Sequence, residues 1–406
     1  MKYLVILGDG MADRPVPELG GKTPLEAAEK PHMDFLAQHG AVGMARTVPE
    51  GMPPGSDTAN LAVMGYDPRT CYTGRSPLEA VSMGIELAPD DVTFRCNLVT
   101  LSDEEDYEDC RMVDYSAGEI STAESGELVR FLNERFRTAD RELHPGISYR
   151  HCLVLHHAET GSLCTPPHDI SGRPIRESLP VGRYGELLLG LMKESRELLR
   201  DHPVNRARAA RGLRPATSCW FWGEGTRPGV ENFEQKYGVK GGVISAVDLI
   251  KGIGICAGLQ SVEVEGATGN VDTNFPGKAA AAVGLLRGGC DFVYLHMEAP
   301  DECGHRHEVE NKVRSIELID RQVLGPILEA LRADGEDFSI LLTPDHPTPL
   351  DIRTHTADPV PFVLYRSWRD SAPAAPRYTE ALAAKTGLFL PEGRRLMEML
   401  IRDARA

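Results

Sequence analysis

The chain has 406 residues, past the roughly 250–300 at which one core stops growing, so two domains are expected. Its 44 basic and 60 acidic residues leave a net charge of −16, which argues against nucleic-acid and membrane-surface partners. The charge does not exclude an anionic substrate, because a bound cation reverses the local field.

The nine cysteines, at 71, 96, 110, 152, 164, 219, 256, 290 and 303, form no C-x-x-C pair. They resemble reduced cytosolic thiols more than a disulfide framework or a zinc knuckle. The start, MKYLVILGDGM, is too short for a signal sequence, and no run of about 18 apolar residues occurs. A cytoplasmic location is expected.

In chain order, YLVIL (3–7) reads as a buried parallel strand, and Thr23-Pro24 opens a helix that Pro31 breaks in two. Pro53-Pro54-Gly55 forces a turn, after which SDTANLAVMG (56–65) is a helix closed by Gly65. From about 70 to 210 charge density rises and apolar runs shorten, as in SDEEDYEDCR and NRARAARGLR. This stretch reads as a smaller α+β domain inserted into the first. Alternation then resumes: a helix over 244–258, another over 279–289, a strand over 291–298 and a long helix over 313–332. Strands over 338–346 and 359–365 and a helix over 393–404 complete it. Strands separated by helices imply an α/β domain with a mostly parallel sheet flanked by helices.

Chemistry collects at the strand ends. Asp9 ends the first strand, Asp301 and His305 follow the strand at 291–298 at i, i+4 spacing, and Asp345, His346 and His355 follow the strand at 338–346. In a doubly wound sheet these ends converge on one edge. Six carboxylate and imidazole ligands exceed the needs of one ion and suit two, the usual clamp for displacement at phosphorus. Mixed Asp/His ligation fits Mn²⁺ or Zn²⁺ better than Mg²⁺ or Ca²⁺. Ser56 opens its helix, where it could serve simply as an N-cap, or as a nucleophile at an anion-stabilising helix N-terminus. His307 points elsewhere on the helix and fits a surface turn better. His156-His157, after CLVLHH, fit either a core edge or a site in the insert.

GDGMADRP, PPGSDTANLAVMGYDP, YTGRSPLEA, APDECGH, PDHPTP and RTHTADPVPF together resemble the cofactor-independent phosphoglycerate mutases of the archaeal type, within the alkaline phosphatase superfamily. The resemblance covers nearly the whole chain. It implies an alkaline phosphatase-like metal-binding domain formed by 1–70 and 211–406, and an inserted substrate-binding domain at 71–210 that closes over the site. It implies one metal held by Asp301, His305 and His355, and a second held by Asp9, Asp345, His346 and the nucleophile Ser56. The cofactors expected are two divalent ions, Mn²⁺ first, with Zn²⁺ or Mg²⁺ as alternatives. Arg75 suits a phosphate or carboxylate clamp, and Arg173 and Lys278 are further anion contacts. His168 and Asp169 match a Pro-His stretch of the family and would act as acid/base and orienting groups.

The reaction implied is a mutase step of glycolysis and gluconeogenesis, interconverting 3-phosphoglycerate and 2-phosphoglycerate through a phosphoserine. The expected partner is a small phosphorylated substrate, with no nucleic acid and no membrane; a homo-oligomer is compatible with the sequence. Two alternatives stay open on the same scaffold. One is a homoserine kinase-like phosphotransferase, since EGATGNVDTNFPGK and HMEAPDECGH also resemble that bacterial branch. The other is a metal-dependent phosphatase. No Walker A loop is present.

Overall fold

The run YLVIL forms the strand Lys2–Gly8 at the middle of a large sheet. Its unbroken apolar sequence is matched by cover on both faces, with Leu4, Val5, Ile6 and Leu7 all fully buried. The computed structural model describes residues 1–369 and 374–402. Two units divide the chain: Met1–Tyr72 with Gly229–Ala406, and Thr73–Pro228.

In the first unit, Lys2–Gly8 runs parallel to Phe292–Met297 on one side and to Phe338–Thr343 on the other. Gly241–Ile244 and Gln260–Ser261 extend the parallel array past Phe292–Met297. On the opposite side Val360–Arg366 runs antiparallel to Phe338–Thr343 and to Ala41–Ala45, with Phe389–Leu390 at the edge. Among the described residues the sheet thus has eight strands. No helix there is long and apolar enough to cross a membrane.

Local chemistry explains most of the helix boundaries. Thr23 and Glu26 form a capping box at Pro24–Ala27, and Pro31 starts the separate helix Pro31–His39. The helix expected over 244–258 is shorter. Ile244 ends a strand and the helix is Asp248–Cys256, because a short apolar run does not by itself distinguish strand from helix. The run at 313–332 comprises Val309–Leu318, a wider π turn at Ile319–Leu324, and Gly325–Asp334. Pro326, with no N–H to give to residue 322, sits where the turn ends. The expected terminal helix appears as Arg395–Met397 followed by a π turn, Glu398–Arg402; its last two expected positions, 403 and 404, lie outside the described residues.

The second unit is antiparallel. Val92–Leu101 is its axis, pairing with Arg150–Leu155, Ser218–Thr226 and Met112–Asp114, and Arg141–His144 lies beyond Arg150–Leu155. Helices Thr122–Phe136 and Gly185–Arg200 bury Leu128, Leu132, Leu188 and Leu199 in one core with Trp220 and Phe221. The expected insert boundary at 210 falls short of Ser218–Thr226, whose pairing with Val92–Leu101 carries the unit on to Pro228.

Candidate functional site

Three adjacent parallel strands of the first unit end side by side, and each delivers an acidic residue to one edge. Asp9 follows Lys2–Gly8, Asp301 lies in the helix Ala299–Arg306 just after Phe292–Met297, and Asp345-His346 follow Phe338–Thr343. Ligand-type atoms of Asp9, Asp345 and His346 lie within 4.8 Å of one another, as do those of Asp301, His346 and His355. His305 Nε2 lies 3.2 Å from Asp301 Oδ2 and 2.9 Å from His355 Nε2. His355 Nε2 is in turn 3.4 Å from Asp301 Oδ1. The His305 Nδ1–H donates to the Arg353 carbonyl at 3.0 Å, which fixes the ring with Nε2 toward the cluster. All six expected carboxylate and imidazole groups therefore gather in one place. His346, expected beside Asp9 and Asp345, is adjacent to both groups.

The electrostatics favour a cation. Burial, together with the Asp345 and Asp301 charges, pushes the Asp9 carboxyl well above its ordinary range. At Asp301 burial also raises the carboxyl, but hydrogen bonds from His305 and His355 outweigh it and hold it well below. The same contact with Asp301 lifts His305 to about 9, while burial lowers His346. Asp9 Oδ1 is buried with no hydrogen-bond partner among the described residues and lies 3.6 Å from His346 Nε2. An orphaned buried acceptor costs about 1–3 kcal/mol, more when charged, and a divalent ion bridging to His346 and Asp345 would satisfy it. The donor set fits the implied ions on that ground.

Ser56 is not an N-cap. Gly55 holds that position, and the Ser56 side chain makes no capping bond to the helix Ser56–Val63. Its Oγ instead lies 3.1 Å from His346 Nε2. Asn60, one turn on, donates to the Ser56 carbonyl at 2.8 Å and to Asp345 Oδ2 at 2.9 Å, and accepts from the Tyr294 hydroxyl at 2.6 Å. Asn60 thus ties the helix Ser56–Val63 to the cluster. The Gly10 N–H donates to Asp345 Oδ1 at 3.1 Å.

Behind the cluster, Lys312 Nζ pairs with Asp13 Oδ2 at 2.7 Å and donates to the Thr348 carbonyl at 2.8 Å, all buried. The Thr348 hydroxyl donates to Asp301 Oδ1. This pair anchors the segment between His346 and His355. Lys278, expected as an anion contact, is fully buried: its ammonium donates to the Glu298 carboxylate and, at 3.0 Å, to the His296 carbonyl. An ammonium already paired in the interior is not offered to a substrate. Sequence reading missed His296 and Glu298, although two ionisable residues at the end of an otherwise apolar strand were a usable signal.

The second unit holds the remaining expected residues. Glu79 accepts two guanidinium groups, Arg75 Nε at 2.9 Å and Arg95 Nε at 2.8 Å. Arg95 also stacks 4.0 Å above the Trp222 ring. Burial raises Glu79, but Arg95 and Arg75 outweigh it and keep it ionised. Glu79 thus joins the two guanidinium groups. His168 lies edge-on to Trp222 and Tyr115, at 5.2 and 6.1 Å between ring centroids. Burial lowers its pKa, and the charges of Arg95 and Arg75 add to this against the raising effect of the Asp169 carboxylate. Asp169 stands 3.6 Å from His168 Nε2, beyond hydrogen-bond reach, so the orienting bond expected between them is not formed. Arg173 is exposed on a loop. His156 and His157 pair with Asp91 and Asp90 at 2.9 and 2.7 Å, closing the end of a strand. Arg95 was missed, though an Arg inside the apolar strand VTFRCNLVTL pointed to it.

The profile of the 2,3-bisphosphoglycerate-independent phosphoglycerate mutase family matches residues 37–205. A protein of Geobacter sulfurreducens named a probable 2,3-bisphosphoglycerate-independent phosphoglycerate mutase is 52% identical over 401 residues, covering 99% of this chain and 100% of that one. The mutase of the same name from Methanothrix thermoacetophila is 50% identical over 403 residues, with the same coverage. Among solved structures, a Pyrococcus horikoshii protein matches with a TM-score of 0.82 at 32% identity, covering 99% of this chain and 96% of that one. The cofactor-independent phosphoglycerate mutase of Thermoplasma acidophilum matches with a TM-score of 0.66 at 25% identity, covering 99% of both. Similarity of this extent, in sequence and in fold, shows that the chain belongs to the 2,3-bisphosphoglycerate-independent phosphoglycerate mutase family.

Proposed function

We infer that the protein interconverts 3-phosphoglycerate and 2-phosphoglycerate without a bisphosphoglycerate cofactor. The observation that carries this reading is Ser56 Oγ, freed from capping and 3.1 Å from His346 Nε2, beside a cluster of three carboxylates and three imidazoles. We assign Asp9, Asp345, His346 and Ser56 to one divalent ion, and Asp301, His305 and His355 to a second. Mn²⁺ is the first choice, with Zn²⁺ and Mg²⁺ as alternatives. Bound ions of this kind lower the pKa of a coordinated hydroxyl and neutralise the charge of a phosphoryl group in transit.

The chain's own groups supply the rest. Ser56 Oγ–H gives up its proton and attacks phosphorus, the bond to the glycerate oxygen breaks, and that oxygen takes up a proton. Glycerate then turns, its other hydroxyl loses a proton and attacks the phosphoserine, the phosphorus–Ser56 bond breaks, and Ser56 Oγ takes up a proton. N–H groups at the start of Ser56–Val63 stabilise the transferring anion. We assign Arg75 and Arg95 to the glycerate carboxylate or phosphate, with Arg173 as a further contact. His168 takes a proton from the attacking hydroxyl and returns it to the departing oxygen, and Asp169 sets its orientation once substrate draws the two together. Holding glycerate between the half-reactions distinguishes a mutase from a phosphatase. We place the protein in the cytoplasm, a location that suits nine cysteines with no disulfide among the described residues.

Phosphorus NMR of purified protein with Mn²⁺ tests the assignment. With 3-phosphoglycerate the expected result is 2-phosphoglycerate and no free phosphate. Release of phosphate would make it a phosphatase, and O-phosphohomoserine formed from homoserine and ATP would overturn the mutase reading.

A further inference from the structure

A row of buried ionisable groups leads to Asp9 from below the sheet edge. His296 is fully buried near the end of Phe292–Met297, in register with Leu7 on the neighbouring strand. Its Nε2 lies 3.1 Å from Asp9 Oδ2, and its Nδ1 lies 3.3 Å from Glu298 Oε1. Glu298 is fixed in turn. Its Oε1 accepts from the Ser245 hydroxyl at 2.9 Å and the Ala246 N–H at 2.6 Å, and its Oε2 accepts the Lys278 ammonium. The order is therefore Lys278, Glu298, His296, Asp9: cation, anion, imidazole, anion.

Such a row is not there for stability alone. Apolar side chains of similar volume in place of buried ion pairs are often as stable or more so. The row has one consequence for the site. It sets the imidazole 3.1 Å from Asp9 Oδ2. This is an ion-pair contact rather than an aligned hydrogen bond, since neither His296 Nε2 nor Asp9 Oδ1 has a hydrogen-bond partner among the described residues. It leaves Oδ1 on the side of His346. We propose that Lys278, Glu298 and His296 are a positioning relay that pins Asp9 by one oxygen and presents the other alone to the cation. His296 acts through Asp9 and touches neither substrate nor transferring phosphate. The inference rests on the two-cation reading above.

The amide pair His296→Asn and His296→Gln tests it. Asn places its amide where Nδ1 lies and loses the partner of Asp9, whereas Gln places an N–H where Nε2 lies. Chelator-treated protein is titrated with Mn²⁺, free ion being read by electron paramagnetic resonance, with near-ultraviolet circular dichroism as the check on folding. Wild type is expected to take two ions. H296N is expected to lose about 10–100-fold in affinity at one of them and stay within about twofold at the other, and H296Q to recover most of the loss. H296N binding both ions as wild type does, or H296Q binding no better than H296N, would overturn the relay. A wild type that binds no Mn²⁺ would instead remove the two-cation reading itself, a distinct result.

Discussion

Replacing Lys312 with Met tests whether the segment carrying His355 is anchored by charge. Lys312 and Asp13 side chains are 0% and 1% exposed and lie 2.7 Å apart. Removing the ammonium leaves the Asp13 carboxylate buried, with only the N–H groups of Arg14 at 2.7 Å and Leu350 at 3.3 Å. Breaking one side of a buried pair costs about 3–5 kcal/mol. For a domain of this size that corresponds to about 6–20 °C in Tm, at 2–4 °C per kcal/mol. Urea unfolding in chelator, followed by circular dichroism, measures it without a contribution from bound ions. The double variant K312M/D13N removes both charges and is expected to regain at least about half of the loss. Because Lys312 also holds the Thr348 carbonyl, K312M is expected to weaken Mn²⁺ binding as well. A loss under about 1 kcal/mol in K312M, or a double variant no better than the single, would refute the anchoring argument.

Ser56→Ala is expected to abolish turnover and the phosphoprotein detected by mass spectrometry, while stability stays within about 0.5 kcal/mol because the side chain caps nothing; retained turnover would remove the nucleophile assignment. Gly10 has φ +59°, and an added Cβ would lie 2.5 Å from Thr348 Oγ1 and 2.6 Å from Asp301 Oδ1. Gly10→Ala should therefore displace Asp301 and weaken Mn²⁺ binding, and a wild-type titration curve would contradict this. Burial raises the Glu380 carboxyl from 4.5 to about 7, so its contribution to stability is present below pH 4.5 and is lost as pH rises through 7. The loss is at most about 3 kcal/mol, partial exposure of the side chain making this the upper end. The stability of wild type relative to E380Q should fall by up to that amount between pH 4.5 and 8, and a constant difference would refute the buried-acid reading.

The grouping of the carboxylates and imidazoles was legible because it depends on local pattern. Continuous apolar runs at 3–7, 291–298 and 338–346 become central parallel strands, and parallel strands end on one edge. Whatever follows each run must then meet, so Asp9, Asp301, Asp345 and their histidines could be grouped before any distance was known. The position of Ser56 was half legible: its helix start was plain, but only the structure shows that Gly55 holds the cap and that the Ser56 hydroxyl lies beside His346.

What the tertiary structure alone decided is where charge is buried. Lys278, in a helix among alanines, was expected as an anion contact; only packing places Glu298, twenty residues on, against its ammonium. Lys312 and Asp13 meet across 299 residues, and Arg95 finds Glu79 and Trp222 only once a helix and two strands are assembled. The end of the second unit belongs here too, since Ser218–Thr226 joins it by pairing with a strand far upstream. Hydrophobic periodicity is written locally, residue by residue. The partner that makes a buried charge tolerable comes from elsewhere in the chain, and folding has to bring it.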